Sequence, residues 1–455
     1  MKSNSKIKPL KIAILGFGRE GQSVFRYLKK SSHFKKSKIE ILDRKRSRNY
    51  LKNLNRFDLI FRSPGIPYNL PELKKARKEG VYFSSVTRLF FENYQGKIIG
   101  VTGTKGKGTV STLIYEMFRA AGKKVFLSGN IGKSAVDSLS KHKNFPLAVL
   151  EFSSFQLQDL NISPPVAVVL DIFPDHQDSH KNFKEYYEAK ANIGRFQSGD
   201  RRKNDKIFFF TDSALSKKLA MKSPAQKFPV DYRKFKIFKA TDLKIRGLHN
   251  FRNAVMAGVV AKNLGVDWAI IRKIVKKFKG LEHRLEFVRE IKRDTKNPNA
   301  HELREVKNGF GLFGSNSSRS GRVVRFYNDS ASTNPTTSAV ALQAFGKEKK
   351  ILICGGQDKN LDYAPLRKAI RKYGVLTVIL FGENKNKIRA AIKNAAKIKI
   401  VKNLETAVKM AYMIAKGTEA CNIIFSPGAA SFDNFEDYAE RGEKFKKIVK
   451  GLTKK

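Results

Sequence analysis

Short unbroken apolar runs alternate with segments of helical period along most of the chain. Residues 11–15, "KIAIL", form such a run, which passes through a glycine turn into "REGQSVFRYL", where apolar positions recur every three to four residues. Strand-like "KIEILD" and "FDLIFRSPG" follow, so this opening region reads as a small α/β unit. A second start comes at "GKIIGVTGTKGKGTVSTLIYEMFRAAGKKVFLSGN", which reads as strand, glycine loop, helix, strand. Val110, Leu113, Ile114, Met117, Phe118 and Ala121 fall on one helical face, and Gly122 supplies a stop. "FPLAVLEF" and "PPVAVVLDIF" are nearly continuous apolar runs, the pattern of parallel strands covered on both faces.

A helical "LHNFRNAVMAGVVAKNLG" leads to "GLEHRLEFV" and then to polar, Gly-, Ser- and Asn-rich "NPNAHELREVKNGFGLFGSNSSRSG", expected to be an exposed loop between two strands. Alternation resumes with "KKILICGG", "VLTVILFG", "KIRAAIKNAA", "ETAVKMAYMIA" and "NIIFSPG", and a last helix closes the chain. The pattern predicts α/β domains in series over residues 1–95, 96–280 and 281–455. A length of 455 residues agrees with three domains at about 150 residues each.

Composition adds a charge of +51, from 91 basic and 40 acidic residues. Such a field attracts anions of any kind. The lysines are spread over solvated faces, with no compact basic tract interleaved with aromatics, so nucleic acid is not expected as a partner. Cys354 and Cys421 lie far apart inside apolar runs, which fits a reducing compartment and neither a disulfide framework nor a zinc site. The apolar part of the N-terminus is short and contains glycines, so it reads as a first strand and not a signal peptide. No apolar run reaches the roughly 18 residues of a membrane span.

Three places could carry chemistry. Gly16-x-Gly18-x-x-Gly21 follows a strand, with Asp43 lying 22 residues beyond Gly21. Glycines there let the backbone approach a diphosphate at a helix N-terminus while the acid meets a ribose. Taken alone, the fingerprint fits a dinucleotide, another nucleoside diphosphate or a bare strand-to-helix turn. The second place is "GVTGTKGKGTV", where Gly103, Gly106 and Gly108 leave backbone N–H groups free to wrap phosphates and Lys107 adds a point charge. A standard P-loop carries a hydroxyl directly after its lysine, whereas here Gly108 intervenes before Thr109. Third, Glu151 and His176 follow apolar strands, which sets them at the carboxyl ends where open α/β sheets bind ligands. Beside a triphosphate they could hold Mg²⁺.

The order and spacing of "TGTKGKGT", "EFSSFQL", "DHQDSH", "YYEAK", "GLHNFRNA", "GLEHRLE", "YNDSASTNP" and "SPGAASFDNFEDYAERG" resemble the Mur ligases of peptidoglycan synthesis, and among them the forms that add D-glutamate. The resemblance implies a Rossmann-like N-terminal domain for UDP, a central P-loop ATPase domain with a parallel sheet and a C-terminal Rossmann-like α/β domain. It implies an ATP-dependent amide ligase acting on UDP-N-acetylmuramoyl-L-alanine and D-glutamate through an acyl phosphate. A cytoplasmic monomer, without a membrane span, goes with that activity.

Carried over by position, the likeness gives Phe17, Gly18, Asp43, Ser63, Gly65 and Asn130 to the UDP-linked substrate. Gly103, Thr104, Lys105, Gly106, Lys107, Gly108, Thr109, Asn250, Asn253, Arg284 and Asp329 fall to ATP. Thr109, Glu151, His176 and Lys190 fall to two Mg²⁺ ions, with Lys190 matching a lysine that is carbamylated by CO₂. Thr333, Lys359, Ser431 and Tyr438 surround the amino acid, and Lys107, His176, Lys190 and Arg284 are the expected catalytic set. Two positions depart from the family pattern. Gly108 gives a loop similar to that of folylpolyglutamate synthase, and Ala331 stands where the D-glutamate-adding forms have a lysine. Another ligase of the superfamily, with a different amino acid, is the alternative.

Overall fold

A computed structural model of the chain describes residues 9–129, 134–175, 180–200, 204–293 and 322–452. The chain divides into two compact units, one of Met1–Ile237 with Arg252–Ile274 and one of Phe238–Phe251 with Val275–Lys455.

The first unit carries two sheets. β1 (Lys11–Leu15), β2 (Lys38–Leu42), β3 (Leu59–Arg62) and β4 (Tyr82–Ser84) form a parallel sheet in the order β2-β1-β3-β4, served by α1 (Arg19–Lys30), α2 (Pro71–Lys78) and α3 (Val86–Asn93). The strand order reverses around β1, so the turns after β1, β2 and β3 gather at one crevice. Gly16, at φ +85°, donates its N–H to the Leu42 carbonyl, and Ser63 Oγ donates to the Gly16 carbonyl at 2.7 Å. Gly21 is required by close packing, because a Cβ there would lie 2.1 Å from the Gly16 oxygen.

The second sheet is built from β5 (Lys97–Thr102), β6 (Val125–Gly129), β7 (Leu147–Glu151), β8 (Val166–Val169), β9 (Lys206–Phe210) and β10 (Gln226–Val230). All its pairings are parallel, in the order β10-β9-β8-β5-β7-β6. Its helices are α4 (Lys107–Ala120), α5 (Ala135–His142), α6 (Ser154–Leu157), α7 (Phe183–Arg195) and α8 (Ala214–Lys222). On α4, Val110, Leu113, Ile114, Met117 and Phe118 are buried, as their spacing predicts. One core runs through both sheets, from Ile12, Val24 and Phe90 to Phe126, Leu150 and Ile193. A buried ion pair supplements it: Arg62, at the end of β3, donates through Nε to Asp159 at 2.9 Å and through Nη2 to the Phe155 carbonyl at 3.0 Å.

α9 (Leu248–Asn263) and α10 (Trp268–Lys277) contribute residues to both units. The second unit then forms β11 (Glu286–Arg293), β12 (Arg322–Asn328), α11 (Pro335–Gln343), β13 (Lys350–Cys354), α12 (Ala364–Tyr373), β14 (Val375–Leu380), α13 (Lys385–Ala391), β15 (Lys397–Ile400), α14 (Leu404–Lys416), β16 (Ala420–Phe425) and α15 (Tyr438–Gly451). Its sheet, β11-β12-β16-β13-β14-β15, is mixed, since β11 pairs antiparallel with β12 while the rest is parallel. The polar stretch expected as a loop, residues 297–321, comes in the sequence between these two strands and lies wholly outside the described residues. Cys354 and Cys421 are buried and unpaired by disulfide. No described helix is long and apolar enough to cross a membrane.

Candidate active site

The glycine turn after β1 is held from behind by its own acid. Asp43 accepts from the Phe17 N–H at 2.6 Å and from the Lys45 N–H at 2.8 Å, and these two backbone bonds hold its carboxyl below the ordinary range. Each oxygen keeps a second lone pair for a ligand. Gly18 caps α1 with open space around it, so the helix N-terminus is approachable by a diphosphate. Arg46 places its guanidinium 5.2 Å from the centre of the Phe17 ring.

β5 ends at the point where the order of the second sheet reverses, and the lysine loop leaves from there. Gly106 caps α4 at φ +86°, and a Cβ on it would lie 2.4 Å from Asn253 Oδ1, so the loop and α9 are in close contact. Thr104 is committed to the scaffold: its hydroxyl bonds the Phe173 carbonyl at 3.0 Å and the Tyr186 hydroxyl at 2.9 Å. Its backbone is engaged as well, since the N–H donates to the Asp171 carbonyl at 2.7 Å. Lys105 pairs with Asp175 at 3.4 Å.

Lys107, on the first turn of α4, donates to the carbonyls of Gly103 and Thr104, both at 3.1 Å. Lys190, fully buried on α7, donates to the same Gly103 carbonyl at 2.9 Å and lies 4.7 Å from the centre of the Tyr186 ring. Burial first, and the Lys107 ammonium second, hold the Lys190 amine well below the usual lysine range, with Asp175 and Glu151 opposing in part. Glu151 is buried at the end of β7, and Thr109 is half-buried on α4. A cavity of about 300 Å³ lies against Lys107 and Lys190 and reaches Gly65 and Glu20 of the first sheet's lobe. His176 and Asn130 lie outside the described residues.

Sequence reasoning missed the residues that lock this cavity. Ser153 and Gln156 form a capping box on α6, and Gln156 Nε2 reaches across to Glu20 Oε1 at 2.8 Å. Glu185 accepts from Asn69 and from Gln158, each at 2.6 Å, so it joins the first sheet's lobe to the second's. Buried His180 bonds Ser154 Oγ at 2.9 Å and stacks on Phe155. The available signal was a density of polar residues in "EFSSFQLQD", but pairing partners some 100 residues away have no local pattern.

In the second unit, Asp329 follows β12 and is buried. Its Oδ1 accepts from the Leu285 N–H at 3.1 Å and its Oδ2 from the hydroxyls of Ser332 and Ser426. Burial outweighs these bonds and pushes its carboxyl up to about 6. Leu285 and His283 both adopt positive φ, an uncommon backbone that sets exposed Arg284 between them. Arg441, also missed, is fully buried and ties the loop after β12 to the loop after β16 through Ser330, Ala429 and Ala430. Thr333 and Lys359 are exposed, Ser431 is buried and Tyr438 opens α15. Lys359 lies 5.4 Å from the centre of the Phe432 ring, itself 60% exposed. Asn250 donates to the Arg246 carbonyl at 2.7 Å.

Residues 101–230 match the family described as Mur ligase middle domain. A UDP-N-acetylmuramoylalanine--D-glutamate ligase from Acetivibrio thermocellus is 35% identical, over 98% of this chain and 97% of that protein. Ligases of the same name from Clostridium tetani (32% identical; 89% of this chain, 85% of that protein) and Clostridium botulinum strain Loch Maree (30%; 99% and 100%) are also similar. Among solved structures, the UDP-N-acetylmuramate-alanine ligase of Thermotoga maritima has the same fold, with a TM-score of 0.55 at 16% identity over 97% of this chain and 99% of that one. The folylpolyglutamate synthase of Mycobacterium tuberculosis gives 0.56 at 12% identity over 79% and 93%. Two lysines converging on one carbonyl beside a helix-capping glycine loop, on a three-sheet α/β framework matched end to end by these relatives, place the chain in the Mur ligase family, with the UDP-N-acetylmuramoylalanine--D-glutamate ligases.

Proposed function

We propose that this chain forms an amide bond between the carboxyl of UDP-N-acetylmuramoyl-L-alanine and the amine of D-glutamate, at the expense of ATP, in peptidoglycan precursor synthesis. The observation that carries the reading is the convergence of Lys107 and Lys190 on the Gly103 carbonyl, beside a cavity that reaches Glu20 of α1 and Gly65 after β3. A carboxylate is a poor electrophile, so it is first phosphorylated by ATP; the neutral amine then attacks the acyl phosphate and phosphate leaves. Lys107 and the N–H groups at the start of α4 face the charge that gathers on the transferring phosphoryl group. The first sheet's turn, with Phe17, Gly18, Asp43, Ser63 and Gly65, holds the UDP end. Arg284, Asn250, Asn253 and Asp329 serve ATP, and Thr333, Lys359, Ser431 and Tyr438 serve the amino acid.

Mg²⁺ suits the donor set of Thr109, Glu151 and Lys190 if Lys190 is carbamylated, since the set then offers hard oxygen ligands. Such an ion supplies charge neutralisation to the phosphates. Burial holds the Lys190 amine well below the usual lysine range, which favours the neutral form that adds CO₂ to give a carbamate and release a proton. The protein acts as a cytoplasmic monomer in this reading, and the domains divide near residues 95 and 280.

Phosphate release is the test, with ATP, UDP-N-acetylmuramoyl-L-alanine and a panel of amino acids. Release that depends on D-glutamate is expected. Release that requires a different amino acid would refute the substrate assignment and leave the ligase chemistry standing.

A further inference from the structure

Glu20 stands in the first turn of α1, two residues beyond the capping Gly18. Its Oε1 accepts from Gln156 Nε2 at 2.8 Å, while its Oε2 is shielded from solvent and has no hydrogen-bond partner among the described residues. Gln156 cannot turn away to serve another group, because its own Oε1 accepts from the backbone N–H of Ser153 at 3.0 Å and from Ser153 Oγ at 3.1 Å. Glu20 therefore has a fixed direction, and it lines the cavity that also touches Gly65, Lys107 and Lys190. A sealed carboxylate oxygen without a donor is costly unless a ligand supplies one.

The position of the cavity says which part of a ligand that is. The glycine turn before α1 suits a diphosphate, and Lys107 and Lys190 mark the phosphoryl-transfer end. Between the two lies the stretch of substrate that connects diphosphate to reacting carboxyl. In UDP-N-acetylmuramoyl-L-alanine this stretch carries amide N–H and hydroxyl donors. A second anion such as phosphate would be repelled by Glu20, whereas an N–H or O–H is the partner its oxygen lacks. Burial raises the proton affinity of this carboxyl, with the Gln156 bond and the charges of Arg19 and Arg62 opposing, and a donated hydrogen bond would add to that opposition.

Resting on the ligase reading above, we propose that Glu20 is a positioning residue which accepts a hydrogen bond from an N–H or O–H of the N-acetylmuramoyl-L-alanyl portion and thereby selects the muramoyl substrate over bare UDP. The Gln156 bridge holds the carboxylate at the required angle.

Titration calorimetry of the wild type and of Glu20→Gln, with UDP and with UDP-N-acetylmuramoyl-L-alanine in turn, tests this. Glu20→Gln keeps the bridge, since its carbonyl can accept from Gln156, but turns an NH₂ toward the ligand in place of an acceptor. The full substrate should bind the variant about tenfold or more weakly, as loss of a hydrogen bond to a charged group implies, while UDP binds both proteins alike. In steady state the KM for the UDP-linked substrate should rise while those for ATP and D-glutamate stay fixed. Equal binding of the full substrate by both proteins overturns the proposal, as does an equal loss for UDP. Glu20→Ala, compared at equal melting temperature, provides a second variant with the same expectation. A wild type that binds the substrate but releases no phosphate would defeat the ligase reading and leave the calorimetric comparison decisive for Glu20.

Discussion

Lys107 and Lys190 donate to one oxygen, the carbonyl of Gly103, at 3.1 and 2.9 Å. Two ammonium groups on one buried acceptor repel each other, and burial together with the Lys107 charge holds the Lys190 amine well below the usual lysine range. If its neutral amine is the carbamylated group, Lys190→Ala should lower kcat by on the order of 10²–10³, the usual cost of removing a group aimed at the developing charge. Formate or acetate should restore part of the rate by standing in for the carbamate. Phosphate release measures both, and a fully active Lys190→Ala would remove the carbamate from the mechanism.

Gly106 offers a second handle on the same loop. Its φ of +86° is left-handed, and a Cβ would press on Asn253 Oδ1 at 2.4 Å. Gly106→Ala should therefore displace the loop from α9, raise the KM for ATP and destabilise the first unit by about 1–3 kcal/mol. Gly122, also at positive φ but with open space around it, provides the control: Gly122→Ala should cost stability without changing the KM for ATP.

Arg62 and Asp159 form a pair almost without solvent, with side-chain exposures of 0% and 6%. Removing one partner leaves the other charged and buried, so Arg62→Met should destabilise the first unit by about 3–5 kcal/mol. Adding Asp159→Asn should recover part of the loss, because it removes the orphaned charge. Denaturant unfolding of the two single variants and the double variant measures the coupling.

The order of strands and helices was legible because each sheet is covered on both faces, which leaves its strands as apolar runs and its helices as periodic ones. α4 shows this well, since five of the six residues picked by spacing are buried, while Ala121 caps the helix and is half-buried. The antiparallel strand β11 was not legible as such, because direction in a sheet depends on where the partner lies and not on the strand's own pattern. In the candidate site, the lysine loop and strand-end Glu151 could be read from local spacing. Arg62, Glu185 and Arg441 could not: their roles depend on partners brought near only by folding, as with Glu185 and Asn69, 116 residues apart. Thr104 shows the converse limit, for a residue in a binding motif has its hydroxyl fully used by the scaffold.

Asp329 links stability to pH. Its carboxyl is raised from 3.8 to about 6 by burial, so between these values the folded protein binds the proton more firmly than the unfolded chain. The contribution of this group is fully present below about pH 3.8 and is lost as pH rises through about 6. Asp329→Asn removes the titration, and its amide can donate to the Ser332 and Ser426 hydroxyl oxygens. The melting temperature of the variant relative to wild type should therefore increase as pH goes from 4 to 7, as about two units of raised pKa imply. Its use of ATP should fall, so stability and activity move in opposite directions. A difference in melting temperature that is flat across this range would contradict the assigned titration.

Lys359 carries the last prediction, because the motif resemblance sets Ala331 at a position where the D-glutamate-adding forms are expected to carry a lysine. Lys359 is exposed and is steadied over the Phe432 ring, 5.4 Å from its centre. An ammonium held this way at an exposed site gains about 0.5–1 kcal/mol, so the ring restricts the cation without neutralising it. If Lys359 pairs with a carboxylate of the incoming amino acid, Lys359→Ala should raise the KM for D-glutamate about tenfold or more, leaving that for ATP unchanged. Phe432→Ala should raise the same KM by only about two- to fivefold, the equivalent of the lost ring contact. Combined with Lys359→Ala, Phe432→Ala should add nothing, since the ring acts through the ammonium. Ala331→Lys should lower the KM for D-glutamate by restoring a second cation. Steady-state kinetics across the four variants checks the set, and equal, additive effects of Lys359→Ala and Phe432→Ala would show that the ring meets the substrate directly.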